Sequence, residues 1–444
     1  MKINRIPLAI LCLSVMGVLL SCSPSPTPAL TPGPDTTTVA PVATPIPAME
    51  ELLPTPAEIT PEPEGTTDRP PDSPPQPAAQ PHFKAGEKLT LDFIHMVSFD
   101  EGWALQGPYV LVTEDGGSTW REVTPPEPFP EGILAQAYAS FANESTAWVV
   151  YGFDTLDSTD PAYAYYQIPA EASVWATYDG GETWTPSPPL RHEIYGDSTW
   201  AELTAVDDIT AWMMIRGVYV GAGTHYIAQL FRTEDGITWE PLDADVGVDY
   251  TGMVFADRDT GWLTWQTVGA YAAAAPEYAV TSDSGFNWEM RELPAPDDFP
   301  DLFEKYEYCE PYQPNLLSAS EVKLLVACFD YYDPPRNFIS YLYSSDDGGD
   351  HWQMFALPKK VNGAKTSLIF FDNQIGLLLG RDMYETRDGG ETWDLIKTVS
   401  WDGQFSFVDE QNGWAIARNQ DEIALVRTED GGRTWSQLDP ITAR

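Results

Sequence analysis

The chain has 444 residues, with 67 Asp and Glu against 24 Lys and Arg for a formal net charge of −43, and it holds 40 Pro, 33 Gly, 21 Tyr and 16 Trp. So negative a chain repels polyanions, which excludes nucleic acid and anionic lipid headgroups as partners. The five histidines, His82, His95, His192, His225 and His351, show no paired metal-ligand spacing, and no Gly-rich phosphate loop precedes a helix, so neither metal nor cofactor is assigned.

At the N-terminus, Lys2 and Arg5 precede an apolar stretch, Ile6 to Leu20, that is too short to span a bilayer as a mature helix. This predicts a signal peptide over 1–21. Its end, Leu19-Leu20-Ser21-Cys22, resembles the lipobox of bacterial lipoproteins. The resemblance implies a diacylated Cys22 as the mature N-terminus, holding the protein to the extracytoplasmic side of the cell membrane or envelope. Residues 22–81 are Pro, Thr, Ala and Glu with hardly an aromatic, a composition that cannot offset the entropy of folding. They predict a disordered tether, extended where polyproline II forms at ~3.1 Å per residue, and so on the order of 100 Å long.

The remainder, 82–444, is built on a recurring turn of the form S/T-x-D-x-G-x-T-W. Its seven copies place Asp115, Asp179, Asp235, Asp283, Asp347, Asp388 and Asp430 ahead of Trp120, Trp184, Trp239, Trp288, Trp352, Trp393 and Trp435. The third copy is one residue short, and Asn287 and His351 stand for Thr in the fourth and fifth. Within such a turn the carboxylate accepts backbone N–H groups, Gly permits positive φ, and Thr-Trp restarts a strand. The Asp and Trp side chains are therefore read as structural, with calcium binding by a row of carboxylates as the other reading.

A second landmark precedes each turn, most cleanly Phe99-Asp-Glu-Gly102-Trp103, Phe255 to Trp262 and Phe407 to Trp414, whereas Leu325 and Leu377 replace the Trp in repeats five and six. Between landmarks the first repeat reads as four strands: Phe93 to Phe99, Trp103 to Gly107, Tyr109 to Thr113 and Thr119 to Val123. Seven such units predict an all-β fold, a seven-bladed β-propeller of four-stranded antiparallel blades with Asp-box turns. The last repeat supplies its own fourth strand at Trp435 to Leu438, and Lys88 to Asp92 is available as an extra edge strand for it.

With strands running outward from the channel, the connections between second and third strands and between blades share one face. The long segments all fall there: Gly152 to Ala172, Gly217 to Ala228, Thr267 to Glu277, Asp330 to Asn337, Thr185 to Thr199 and Glu292 to Asn315. Elaborated loops on a rigid scaffold are where binding concentrates. They are rich in tyrosine, including Tyr163, Tyr165, Tyr166, Tyr226, Tyr306 and Tyr332, which either pack the loops or form a contact surface. Four positions beyond the second-strand Trp or its substitute stand Arg216, Arg381 and Arg418, read either as an anion or protein docking patch or as arginines paired with local acids. Cys309, in the loop 292–315, and Cys328, near the end of a second strand, are expected to form a disulfide in an exported protein, free thiols being the alternative.

The paired motifs F-x-D-x-x-x-G-W-A and T-x-D-G-G-x-T-W resemble the propeller family typified by the photosystem II assembly and stability factor of cyanobacteria and plastids, over about Leu89 to Leu438. That resemblance implies a non-catalytic protein that docks on a membrane protein or assembly intermediate. The turns also resemble those of sialidase-like glycosidases, which implies carbohydrate binding or glycoside hydrolysis on the same fold. The arginine triad of that group is not found: the only Arg-Ile-Pro, Arg5 to Pro7, lies in the signal peptide, and the six inner strands assigned from the sequence contain no Arg. A glycosidase of another plan needs two carboxylates with separated pKa values and aromatic platforms, and the loop face holds both ingredients.

Overall fold

A computed structural model describes residues 74–126, 129, 132–156, 164–194, 198–219, 225–243, 250–265, 275–306, 308–330, 338–420 and 422–443. Among them the strands form seven sheets, antiparallel apart from one added edge strand, arranged as consecutive blades. Blade one is Phe93–Met96, Gly102–Gln106, Tyr109–Thr113 and Thr119–Glu122, within a few residues of the strands read from the sequence. Blade seven is Asp402–Phe407, Gly413–Asn419, Glu422–Thr428 and Ser436–Leu438.

Each repeat turn is held by its Asp. Asp115 Oδ1 accepts the backbone N–H of Thr119 at 2.8 Å, and Oδ2 accepts that residue's hydroxyl at 2.8 Å. Thr113 closes the turn by accepting the N–H of Gly117, whose φ of 90° few residues other than glycine adopt. Asp179, Asp283, Asp347, Asp388 and Asp430 repeat the pattern. In the shortened third turn Asp235 Oδ1 takes the N–H groups of Ile237 and Thr238 instead.

The core is a series of layers between blades rather than one body. Trp103, Trp120, Trp148, Trp184, Trp212, Trp262 and Trp414 are each fully buried in these layers. A Trp removes roughly 200 Å² from water, a gross gain of about 5 kcal/mol. Its indole N–H must also find an acceptor, and this need locks neighbouring blades together. Trp103 donates to Asn143 O, Trp148 to Gly236 O, Trp212 to Ser284 O and Trp414 to Gly116 O, at 2.7 to 2.9 Å, in each case a turn of the next blade. Other donors also cross the seams: Tyr278 OH, stacked on Trp262, reaches Gly349 O, and in the repeats where Leu replaces the Trp, Lys323 Nζ reaches Gly389 O and Arg433 joins Glu385 between blades six and seven.

The ring closes differently from the sequence expectation. Lys88 to Asp92 does not extend blade seven. Instead Ile441–Thr442 adds a parallel fifth strand to the outer edge of blade one, beside Thr119 and Trp120. The N-terminal segment then pairs with this tail, Gly86 donating to Thr442 O and Leu89 to Pro440 O. The physical reason is apolar: Leu89 and Leu91 sink into the layer formed by Trp120, Trp414 and Ile416 between blades seven and one, which leaves their segment inside the seam.

Two boundaries also move. Gln76–Pro77, placed in the tether by composition, pairs with Trp184 and Thr183 on the outer edge of blade two. Residues 217–219 and 225–228, placed in a loop by the sequence, are strand, because the hairpin Ala211–Tyr219 with His225–Thr233 runs on to the pair Tyr219 and His225.

Candidate binding face

The inner strands leave unpaired backbone groups along the channel, and side chains of neighbouring blades cap them. Gln404 accepts Ile94 N–H and donates to Ile94 O, Ser406 accepts Met96 N–H, Glu202 accepts Met253 N–H, and Asn315 accepts Phe370 N–H. These polar inner-strand residues are thereby committed to holding the ring.

At the loop face, blade five departs from the regular plan. Its inner strand is split into Tyr308–Pro311 and Asn315–Leu316, because Pro311 and Pro314 flank the interruption and proline cannot donate to a ladder. Tyr312 and Gln313 project from the break. The Tyr312 phenol donates to Glu310 Oε2 at 3.0 Å, and Gln313 Nε2 donates to Met253 O of blade four. Cys309 belongs to this inner strand and not to a loop. It stands opposite Cys328 in register, with a Cα separation of 4.0 Å and the sulfurs bonded.

The break opens a cleft of about 520 Å³ at the channel mouth, between blades five, six and seven. Tyr312, Gln313, Leu325, Lys365, Thr366 and Asp402 contribute to its walls. Asp402 is gripped by Arg381 through two hydrogen bonds of 2.8 and 2.9 Å, with Lys365 Nζ 3.8 Å away. The Arg381 hydrogen bond, with Lys365 in support, holds the Asp402 carboxyl below the ordinary aspartate range. Glu310 is pushed the other way, because burial raises it more than the Tyr312 hydrogen bond lowers it.

The residues singled out from the sequence are distributed over this face. Arg381 engages Asp402 of blade seven, Arg418 donates to Asp92 O of blade one at 2.8 Å, and Arg216 lies over Trp200 of its own blade, 5.2 Å from the ring centroid. Two of the three thus bridge consecutive blades through acidic residues. Tyr165 is exposed, near the exposed Leu156, and its N–H bonds Asp154 at 2.7 Å. Tyr166 is half-buried, and burial followed by Asp154 and Asp92 raises its phenol. Tyr306 packs edge-on to Phe299, 6.3 Å between centroids. Tyr226 lies in the third strand of blade three, while Tyr163, Tyr332 and Cys22 fall outside the described residues. Among the described residues no group of three or more His, Cys, Asp or Glu could hold a metal ion. Sequence reasoning missed Lys365 and Asp402 and counted Tyr312 only as one of the loop tyrosines; the signal for the cleft was the Pro-Tyr-Gln-Pro run that breaks the inner strand.

No protein-family model and no curated protein matches the chain. Two solved YCF48 structures, one bound to a D1 peptide and one from Cyanidioschyzon merolae, are similar at 15% identity and a TM-score of 0.47 each. The alignments cover 79% and 80% of this chain and 97% and 99% of theirs. An ulvan lyase is similar at 12% identity and a TM-score of 0.41, over 68% of this chain and 81% of its own. The architecture stated above rests on the chain's own strand order.

Proposed function

We propose that this protein is a lipid-anchored, extracytoplasmic docking module whose loop face binds a protein partner, acting as a non-catalytic assembly or stability factor for a membrane complex. The observation that supports it most is the broken inner strand of blade five, which sets an aromatic ring, an amide, a cation and a carboxylate around one open cleft at the channel mouth. Contact surfaces combine such aromatic anchors with a polar rim. The test is a pull-down from native membranes with a C-terminal tag, comparing wild type with a variant shortened over 152–172 and with Lys365→Ala. Retention of a membrane complex by wild type and its loss in either variant supports docking at this face. Equal retention by all three removes the loop face from the account.

A second reading is favoured by one observation. Asp402 lines the cleft and is shifted down by Arg381, while Glu310, which accepts the phenol of the cleft residue Tyr312, is shifted up by burial. Two carboxyls pushed apart in pKa are the acid and base that glycoside hydrolysis requires. On this reading the protein hydrolyses a polysaccharide, and Glu310→Gln and Asp402→Asn each abolish turnover while the fold is retained.

A further inference from the structure

The opposite face carries tight turns, yet it too has a recess, and the docking reading makes no use of it. Between blades five and six lies a cleft of about 320 Å³ walled by Glu321, Ser344, Asp346, Trp352, Gln353 and Asn373, with Lys323 and His351 beside them. All of these belong to the turns or turn-proximal strand ends of the two blades. The volume sits at the lower end of small-ligand pockets, roughly 300–1,000 Å³.

The walls have a defined chemistry. Trp352 is fastened by its indole N–H to Tyr278 OH at 3.2 Å, and its ring meets Trp262, Tyr278 and Tyr343 edge-on, so the aromatic wall is held rigid from behind. Gln353 and Asn373 each offer an amide donor and acceptor. Glu321, Asp346 and Ser344 add acceptors and a hydroxyl. The single cation inside, Lys323, is committed to Ser344 Oγ at 2.8 Å and Gly389 O at 3.2 Å. His351 replaces the Thr found at this turn position in most repeats; its Nδ1 pairs with Asp347 Oδ2 at 2.7 Å, which leaves Nε2 for another partner.

These facts discriminate among ligands. Glu321 and Asp346 line the cleft, while the ammonium of Lys323 is committed to protein oxygens and His351 is paired with Asp347, so neither basic group among the lining residues is left uncommitted to hold an anion. No grouping suited to a metal occurs among the described residues. An aromatic wall with amides and carboxylates at its margins matches a ligand that has apolar C–H faces and many hydroxyls. We infer that this cleft is a second binding site, for one or two residues of a neutral carbohydrate chain. It lies on the face away from the proposed partner site and does not depend on that reading. A glycan there would position the tethered propeller against envelope polysaccharide while its loop face stays free.

The test uses the full chain in detergent, titrated by calorimetry with cellohexaose, chitohexaose and mannohexaose. At least one should bind saturably to wild type. Gln353→Ala with Asn373→Ala, which removes two hydrogen-bonding amides without touching the core, should weaken that binding about tenfold. Leu395→Ala, an exposed position on the strand Asp394–Thr398 that lines neither cleft, should leave it unchanged. Trp352→Ala should abolish it, and because that variant risks the fold, its thermal melt is measured alongside. Absence of binding to wild type by all three sugars, or equal binding by the Gln353 and Asn373 double variant, overturns the proposal.

Discussion

Lys323 of blade five reaches across the seam to the carbonyl oxygen of Gly389 in blade six, 3.2 Å away, where four other seams are closed by an indole N–H. Its ammonium lies over the Phe370 ring, 5.0 Å from the centroid, and the residue is almost wholly buried. Burial lowers its pKa. A cation therefore does the work of a tryptophan because Leu325, two residues on, has lost the indole.

Replacing that ammonium should open the seam locally. Lys323→Met keeps the apolar stem but leaves Gly389 O and Ser344 without their donor, at a cost of about 1–3 kcal/mol. Urea unfolding measures it, and an unchanged midpoint would show that water substitutes for the ammonium.

The repeat turns predict a pH dependence of definite sign. The hydroxyl and backbone N–H of Thr392 hold Asp388 down, from 3.8 to about 2. A carboxyl depressed on folding stabilises the native state above its unfolded pKa and loses that contribution as pH falls through the folded value. Asp388→Ala should therefore cost about 1 kcal/mol at neutral pH, by analogy with lost caps. The gap from wild type should shrink as pH drops from about 4 towards about 2. Denaturant titrations across that range decide the sign.

The cross-strand bridge between Cys309 and Cys328 closes a loop next to the broken inner strand. Removing it with Cys309→Ala and Cys328→Ala together should lower stability by about 3 kcal/mol in the loop-entropy model. The reduced wild type should match the double variant in chemical denaturation; a stable double variant would assign the bridge no stabilising role.

Deleting residues 440–444 removes the strand that spans the N- and C-terminal segments. Ala443 N–H, Thr442 N–H and Ile441 N–H lose Trp120 O, Glu87 O and Ser118 O, and Leu89 loses Pro440 O. The loss should amount to several kcal/mol, at about 1 kcal/mol for each bond. Amide exchange should accelerate first in Thr119–Glu122 and in the segment 84–91. Uniform acceleration over all blades would mean that closure is set elsewhere.

The propeller was legible in the sequence because each repeat announces itself twice, by an Asp turn with its Trp and by a second-strand Trp, and both residue types have one structural job. The seams were half legible: an indole needs an acceptor, but the sequence does not say which carbonyl, and Lys323 gave no sign of acting for a Trp. Cys309 was misplaced in a loop because Pro311 and Pro314 disguise the inner strand of blade five. Arg381 and Arg418 stand four positions beyond the landmark, yet their partners Asp402 and Asp92 come from the following blade and no local pattern names them. The cleft residues arise from three blades, so only the folded ring assembles them.

The central claim is that the loop face, and not the turn face, meets the partner. The most direct measurement is photo-crosslinking in native membranes with a photoreactive residue at Tyr165 on the loop face or at Phe286 on the turn face, both exposed. A discrete membrane-protein adduct from position 165 and none from position 286 is the predicted result. An adduct from position 286 alone, or none from position 165, would contradict it.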